Sequence, residues 1–183
     1  MDQDALLFKN YLEGDESAFD KLMEGLFFRL VYFIDGIVHD TFAAEDIAVD
    51  VFAELVASPK RFDGRAGFKT FVFMMGKSRA LNYLKHRKVV EFTELSEAEG
   101  LAAERSQLEE KVLHSERQRV LADAIAQLPE QMRQAVHLVY FEGLSYAQAA
   151  KAMDMNAKYV DNMLQRAKKQ LAGIIGEEGR ELL

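Results

Sequence analysis

Proline occurs twice in 183 residues, at positions 59 and 129. Proline removes a backbone donor and interrupts a helix, so most of this chain is free to be helical. Its apolar residues recur at helical spacing, and no run alternates apolar and polar residues long enough to make a strand. The expected fold class is all-α. With 49% hydrophobic residues the chain can bury a real core, as one or two small domains.

Leu6, Leu7 and Tyr11 begin an amphipathic helix that ends near Gly14. Asp15 or Ser17 starts a second, which runs through Phe19, Leu22, Met23, Leu26, Phe27 and Leu30 to about Val38. Asp40 or Thr41 starts a third, with Ile47, Val51, Phe52, Leu55 and Val56 as its buried stripe, and Ser58-Pro59 stops it. A loop from Lys60 to Gly67 leads to a fourth helix from about Phe68 to Arg87. These four helices form one expected domain, residues 1–88. Residues 89–114 read as an acidic linker, partly helical after Ala102. A second domain, 115–183, opens with a helix to Gln127. Pro129 then suits the first turn of a helix that ends at Glu142-Gly143. The tail is expected to fray from Gly173.

Residues 145–172 read as a helix-turn-helix. Ser145 and Gln148 have capping-box spacing. Ala150 is small where two helices must cross, Asp154 tolerates the positive φ of a tight turn, and Asn156 can cap the second helix. In that helix Val160, Met163, Leu164, Ala167 and Leu171 share one face. The other face carries Lys158, Asn162, Gln165, Arg166, Lys168 and Lys169, groups able to meet phosphates and base edges. Duplex DNA is the expected partner.

The net charge of −7 is unevenly divided. Residues 1–56 carry 13 acidic and 3 basic groups, and residues 57–90 carry 1 and 9. Residues 91–116 carry 8 acidic and 2 basic groups, and residues 117–183 carry 8 and 9. Such blocks imply separate partner surfaces. The basic block mixes cations with rings: Lys60, Arg61, Phe62, Arg65, Phe68, Lys69, Phe71, Phe73, Lys77, Arg79, Tyr83, Lys85, Arg87 and Lys88. Cations track a nucleic-acid backbone, and exposed rings stack on unpaired bases at about 1–3 kcal/mol each. At least half of these rings are expected to be core.

Other classes lack their residues. There is no cysteine, hence no disulfide framework and no thiolate nucleophile, which suits a reducing cytoplasm. The acidic first residues are unlike a signal peptide. The apolar segment 26–38 is too short to span a bilayer and carries Arg29 and Asp35, so no membrane insertion is expected. His39, His86, His114 and His137 are dispersed without metal-ligand pairing, and no Gly-rich phosphate loop occurs. No catalytic residues, metal or cofactor are expected, and the chain does not read as an enzyme.

Several blocks, in order, resemble the bacterial RNA polymerase sigma factors of the sigma-70 superfamily, extracytoplasmic-function (ECF) group. Residues 44–52, Ala-Glu-Asp-Ile-Ala-Val-Asp-Val-Phe, resemble that group's polymerase-binding helix. Phe62-Asp63-Gly64, then Phe68-Lys69-Thr70-Phe71 and Arg79-Ala80-Leu81-Asn82-Tyr83-Leu84, resemble its −10 reader. Leu128-Pro129-Glu130-Gln131, Phe141-Glu142-Gly143-Leu144-Ser145-Tyr146 and residues 160–167 resemble its −35 reader. Their order and spacing together carry the likeness, over most of residues 4–172.

The resemblance implies a region 2-like domain over 1–88, a region 4-like domain over 115–183, and a linker that sits in the polymerase channel. Glu45, Asp46, Asp50 and Glu54 would meet a coiled coil of the largest polymerase subunit. Lys60, Arg61, Asp63, Gly64, Arg65, Phe68, Lys69, Phe71, Lys77, Ser78, Asn82 and Lys85 would capture the −10 strand, with Asp63, Gly64 and Phe68 shaping a pocket for a flipped base. Lys158, Tyr159, Asp161, Asn162, Gln165, Arg166 and Lys169 would read the −35 duplex. The family usually has Gln where Val49 stands, Trp at Phe71, Asn at Ser78, Asp at Asn82, and Lys or Arg at Asp161 and Met163. Core RNA polymerase, promoter DNA and an anti-sigma factor are the implied partners. Read from the residues without the resemblance, a stand-alone DNA-binding regulator and a protein-binding helical module stay open.

Overall fold

The computed structural model describes residues 2–93 and 116–176. Among the described residues there are α-helices and no strand. They form two compact units.

The first unit is built on α2 (Glu16–Val38), which packs against α1 (Gln3–Leu12), α3 (Thr41–Ala57) and α4 (Phe68–Thr93). Ala18, Leu22, Leu26, Leu30 and Ile34 repeat every four residues along α2 and are buried. That row is the ridge a neighbouring helix needs. Gly76 of α4 faces it: a Cβ there would lie 2.7 Å from Leu30 Cδ1 and 3.3 Å from Ile34 Cδ1. The missing side chain is therefore what lets α4 approach. Phe8 anchors α1, its ring 4.9 Å from that of Phe68 and 6.2 Å from that of Phe62.

Local signals set the helix ends as expected. Gly14 follows α1 at φ 105°, and Asp40 caps α3 by accepting from Ala43 N at 3.1 Å. His39 ends α2 in the left-handed conformation, φ 55°. Asp2 serves two helices: it accepts from Asp4 N and Ala5 N at the start of α1 and from Phe68 N at the start of α4. After α3, Pro59–Arg61 form one 3₁₀ turn. Two expectations change. Val56 is exposed, because Val51, Phe52 and Leu55 already fill the buried side of α3. Helix α4 continues to Thr93, past Arg87 and into the segment read as linker.

The second unit comprises α5 (Glu116–Ala126), α6 (Glu130–Val136), α7 (Tyr146–Ala152) and α8 (Ala157–Ile175), with α5 and α6 against α8. Pro129 is the N-cap of α6, one position earlier than the sequence suggested. Arg133 reaches back to accept no bond but to donate two, to the carbonyls of Ala126 (3.1 Å) and Leu128 (3.4 Å), and so fixes the α5–α6 turn. Helix α6 widens into a π-helical turn over His137–Phe141, closed by Glu142 N to His137 O at 3.0 Å, and Gly143 then reverses the chain at φ 68°. Helix α8 holds to Ile175, so its last turn is formed where fraying was expected. The linker helix expected after Ala102 and the tail beyond residue 176 lie outside the described residues. None of the described helices is long and apolar enough to cross a membrane.

Candidate functional site

Three surfaces carry the residues singled out by sequence. The helix-turn-helix is assembled by reciprocal caps. Ser145 N donates to Gln148 Oε1 at 2.9 Å, and Gln148 N to Ser145 Oγ at 3.3 Å. Asp154 takes the turn at φ 52°, and Asn156 Oδ1 accepts from Tyr159 N at 2.8 Å. These local bonds orient α8, whose Val160, Met163, Leu164, Ala167 and Leu171 are all buried.

On the opposite face of α8, Lys158, Tyr159, Asn162, Gln165, Arg166 and Lys169 are exposed and Asp161 is half-buried. Met163 faces inward, so it takes no cation's place on that exposed face. Lys168 is half-buried with its ammonium 5.6 Å from the Tyr140 ring centroid. Tyr140 also holds that ammonium's pKa above its ordinary value, first through a side-chain hydrogen bond. Lys169 is therefore the freer of the two for a phosphate.

The basic segment of the first unit has a built loop. Asp63 Oδ1 accepts from Arg65 N at 3.0 Å, its Oδ2 pairs with Arg65 Nε at 3.2 Å, and Gly64 between them has φ 74°. A turn held by an Asp side chain over a left-handed residue is what Asp-Gly favours. Phe62 pins the loop down: its ring lies 5.1 Å from Phe68 and 5.6 Å from Phe71. An open hollow of about 440 Å³ lies beside the loop, lined by Ala57, Ser58, Pro59, Lys60 and Arg61.

Phe68, expected to help shape the pocket for a flipped base, is fully buried, and its ring supports the loop from beneath. The physical reason is its place at the first turn of α4, against Phe8 and Phe62. Phe71, Lys69 and Lys77 are half-buried; Lys60, Arg61, Asp63, Gly64, Arg65, Ser78, Asn82 and Lys85 are exposed. Ser78, Asn82 and Lys85 recur at spacing four and three, hence on one face of α4.

The acidic face of α3 is divided. Asp46 is exposed and Glu45 half-buried. Asp50 and Glu54 are bound by Arg79 of α4: Nη1 donates to Asp50 Oδ2 at 2.9 Å, Nη2 to Glu54 Oε2 at 2.6 Å, and Nε to the same oxygen at 3.1 Å. Arg61 pairs with the other Glu54 oxygen, Oε1. Glu54 is thus enclosed by cations of its own chain, its side chain 19% exposed against 64% for Asp50. By sequence Arg79 is one cation in a basic run, and nothing in its neighbours marks it as a partner of α3. Phe42, not among the residues singled out by sequence, is 83% exposed one turn before Asp46 on the same helix, with Val49 exposed one turn beyond. An aromatic at a helix start with no buried partner at i+4 was the available signal. Among the described residues no cluster of His, Asp or Glu could hold a metal ion.

The family model for sigma-70 region 2 matches residues 23–89, and that for sigma-70, region 4 matches residues 118–171. The RNA polymerase sigma-H factor of Pseudomonas aeruginosa is 28% identical over 178 residues, covering 93% of this chain and 92% of that protein. The ECF RNA polymerase sigma-E factor of Haemophilus influenzae is 27% identical over 183 residues, covering 92% and 93%. Among solved structures, the sigma factor RpoE of Bartonella quintana, in complex with the anti-sigma factor NepR, has a similar fold. Its TM-score is 0.64 at 18% identity, covering 86% of this chain and 96% of that one.

Proposed function

The chain belongs to the extracytoplasmic-function group of the sigma-70 superfamily of RNA polymerase sigma factors, and we propose a division of that group's work among its three surfaces. It directs core RNA polymerase to specific promoters for transcription initiation, in response to stress or another signal. Core polymerase and promoter DNA are its partners, and an anti-sigma factor is the regulator this reading implies. The observation that carries it is the pair of region matches, in order, falling on the basic segment and the helix-turn-helix.

In this reading residues 1–88 dock on polymerase and open the −10 element, 89–114 form the linker, and 115–183 bind the −35 element. Asp46, with Glu45, Asp50 and the exposed Phe42 and Val49 around it, is the docking patch. A carboxylate beside an exposed ring suits a partner helix that offers both cations and apolar stems. Lys60, Arg65, Lys69, Lys77 and Lys85 track the −10 strand backbone, while Asp63, Gly64, Phe71, Ser78 and Asn82 hold its bases. In the −35 groove Asn162, Gln165 and Arg166 read base edges, joined by Tyr159 and Asp161, and Lys158 and Lys169 meet phosphates. The factor adds no catalysis of its own; the polymerase, with which it shares the cytoplasm, supplies the chemistry.

Run-off transcription with core enzyme from the same cell tests the assignment. A promoter-specific transcript that needs the chain, and co-purification with core, are expected. Absence of both on every promoter tried would overturn it.

A further inference from the structure

Glu54 sits one turn before Ser58-Pro59, the corner where α3 gives way to the strand-reading loop. Both of its oxygens are engaged from within the chain. Oε2 accepts two bonds from Arg79 of α4, at 2.6 and 3.1 Å, and Oε1 pairs with Arg61 of the 3₁₀ turn. A polymerase cation would have to break these bonds to reach it. Asp46, two turns earlier, needs no such exchange.

Two guanidinium groups on one partly buried carboxylate make a network, not an isolated surface pair. Removing the carboxylate takes this partner from Arg61 and leaves Arg79 with Asp50 alone, which costs more than the loss of one exposed ion pair. The network joins the three pieces that bear on the −10 strand: the end of α3, the loop through Arg61, and α4 through Arg79. Arg79 lies next to Ser78 and three residues before Asn82, on the helix that carries both.

We propose that Glu54 is a positioning residue, which through Arg61 and Arg79 presets the loop and α4 for capture of the −10 strand and does not itself contact polymerase. The proposal rests on the sigma-factor reading above. It assigns Asp46 and its neighbours to docking and takes Glu54 out of that set.

The test uses holoenzyme reconstituted from core polymerase and the full chain, with Glu54→Gln, Arg79→Gln and the double variant. Affinity for core and affinity of holoenzyme for a single-stranded −10 oligonucleotide are measured separately. Glu54→Gln is expected to bind core within about twofold of the unaltered chain, since it lies outside the docking patch. Each single variant should lose about tenfold in oligonucleotide affinity, the scale of one charged hydrogen bond. The double variant should lose no more than either single one, because both cut the same network. Arg79→Lys, which keeps the charge but gathers its donors on one nitrogen, should fall between, and it guards against a fold defect in the glutamine variants. Loss of core affinity in Glu54→Gln, unchanged oligonucleotide affinity, or losses that add in the double variant would each overturn the proposal. If the unaltered holoenzyme itself yields no promoter-specific transcript, the reading beneath it fails, and that result is distinct from the other three.

Discussion

Arg166 and Asn162 stand exposed on α8 with the helix start fixed by Asn156, so their placement does not depend on their own contacts. Replacing either by alanine should cost about 1–3 kcal/mol of discrimination at the base it reads. In run-off assays on base-substituted promoters, affinity for core should stay unchanged while preference at one −35 position flattens. Equal loss on every promoter variant would make the residue a phosphate contact instead. Charge reversal separates the carboxylates of α3. Asp46→Arg should weaken core binding, read by co-purification, while leaving binding of a −35 duplex to the free chain as it was. Asp50→Arg is a poorer probe, since it also places a second cation beside Arg79.

At the scale of the element, two positions decide how helices meet. Gly76 has no room for a side chain against Leu30 and Ile34, both fully buried. Gly76→Val should therefore destabilise the first unit by about 1–3 kcal/mol through overpacking, seen as a lower melting temperature of the transition assigned to residues 2–93. Asn156→Ala removes the bond to Tyr159 N and should cost about 1 kcal/mol. Hydrogen exchange in the first turn of α8 should quicken, with exchange in α2 unaffected. The caps at Asn156, at Ser145 with Gln148 and at Asp40 were legible in the sequence because they join residues three apart. The π-helical turn at His137–Phe141 was not. Its wide backbone bonds leave no distinct spacing in the side chains, and Gly143 marks only where it ends.

At the scale of the whole molecule, charge is distributed so that duplex affinity should be modest without polymerase. Residues 1–56 are strongly acidic, and the reading face of α8 carries few cations. Each phosphate contact adds about 0.9 to the slope of log affinity against log salt. Lys169→Ala should lower that slope by about one contact in anisotropy titrations of the −35 duplex, and Lys168→Ala by less, because Lys168 is drawn to Tyr140.

The all-helical fold, the succession of helices and the exposed polar face of α8 were set by sequence alone. Each follows from spacing within a few turns, where the helical period and a capping bond act over three or four residues. Whether a side chain that spacing puts on a given face stays free there is another matter. Phe68 stands in a segment whose rings could be core or surface, and Phe8, sixty residues earlier, covers it. Glu54 looked like one of four equivalent carboxylates until α4 brought Arg79 against it. Those outcomes depend on the rotation and separation of packed helices, which are fixed by volumes such as the missing side chain at Gly76. Only the tertiary structure could decide them.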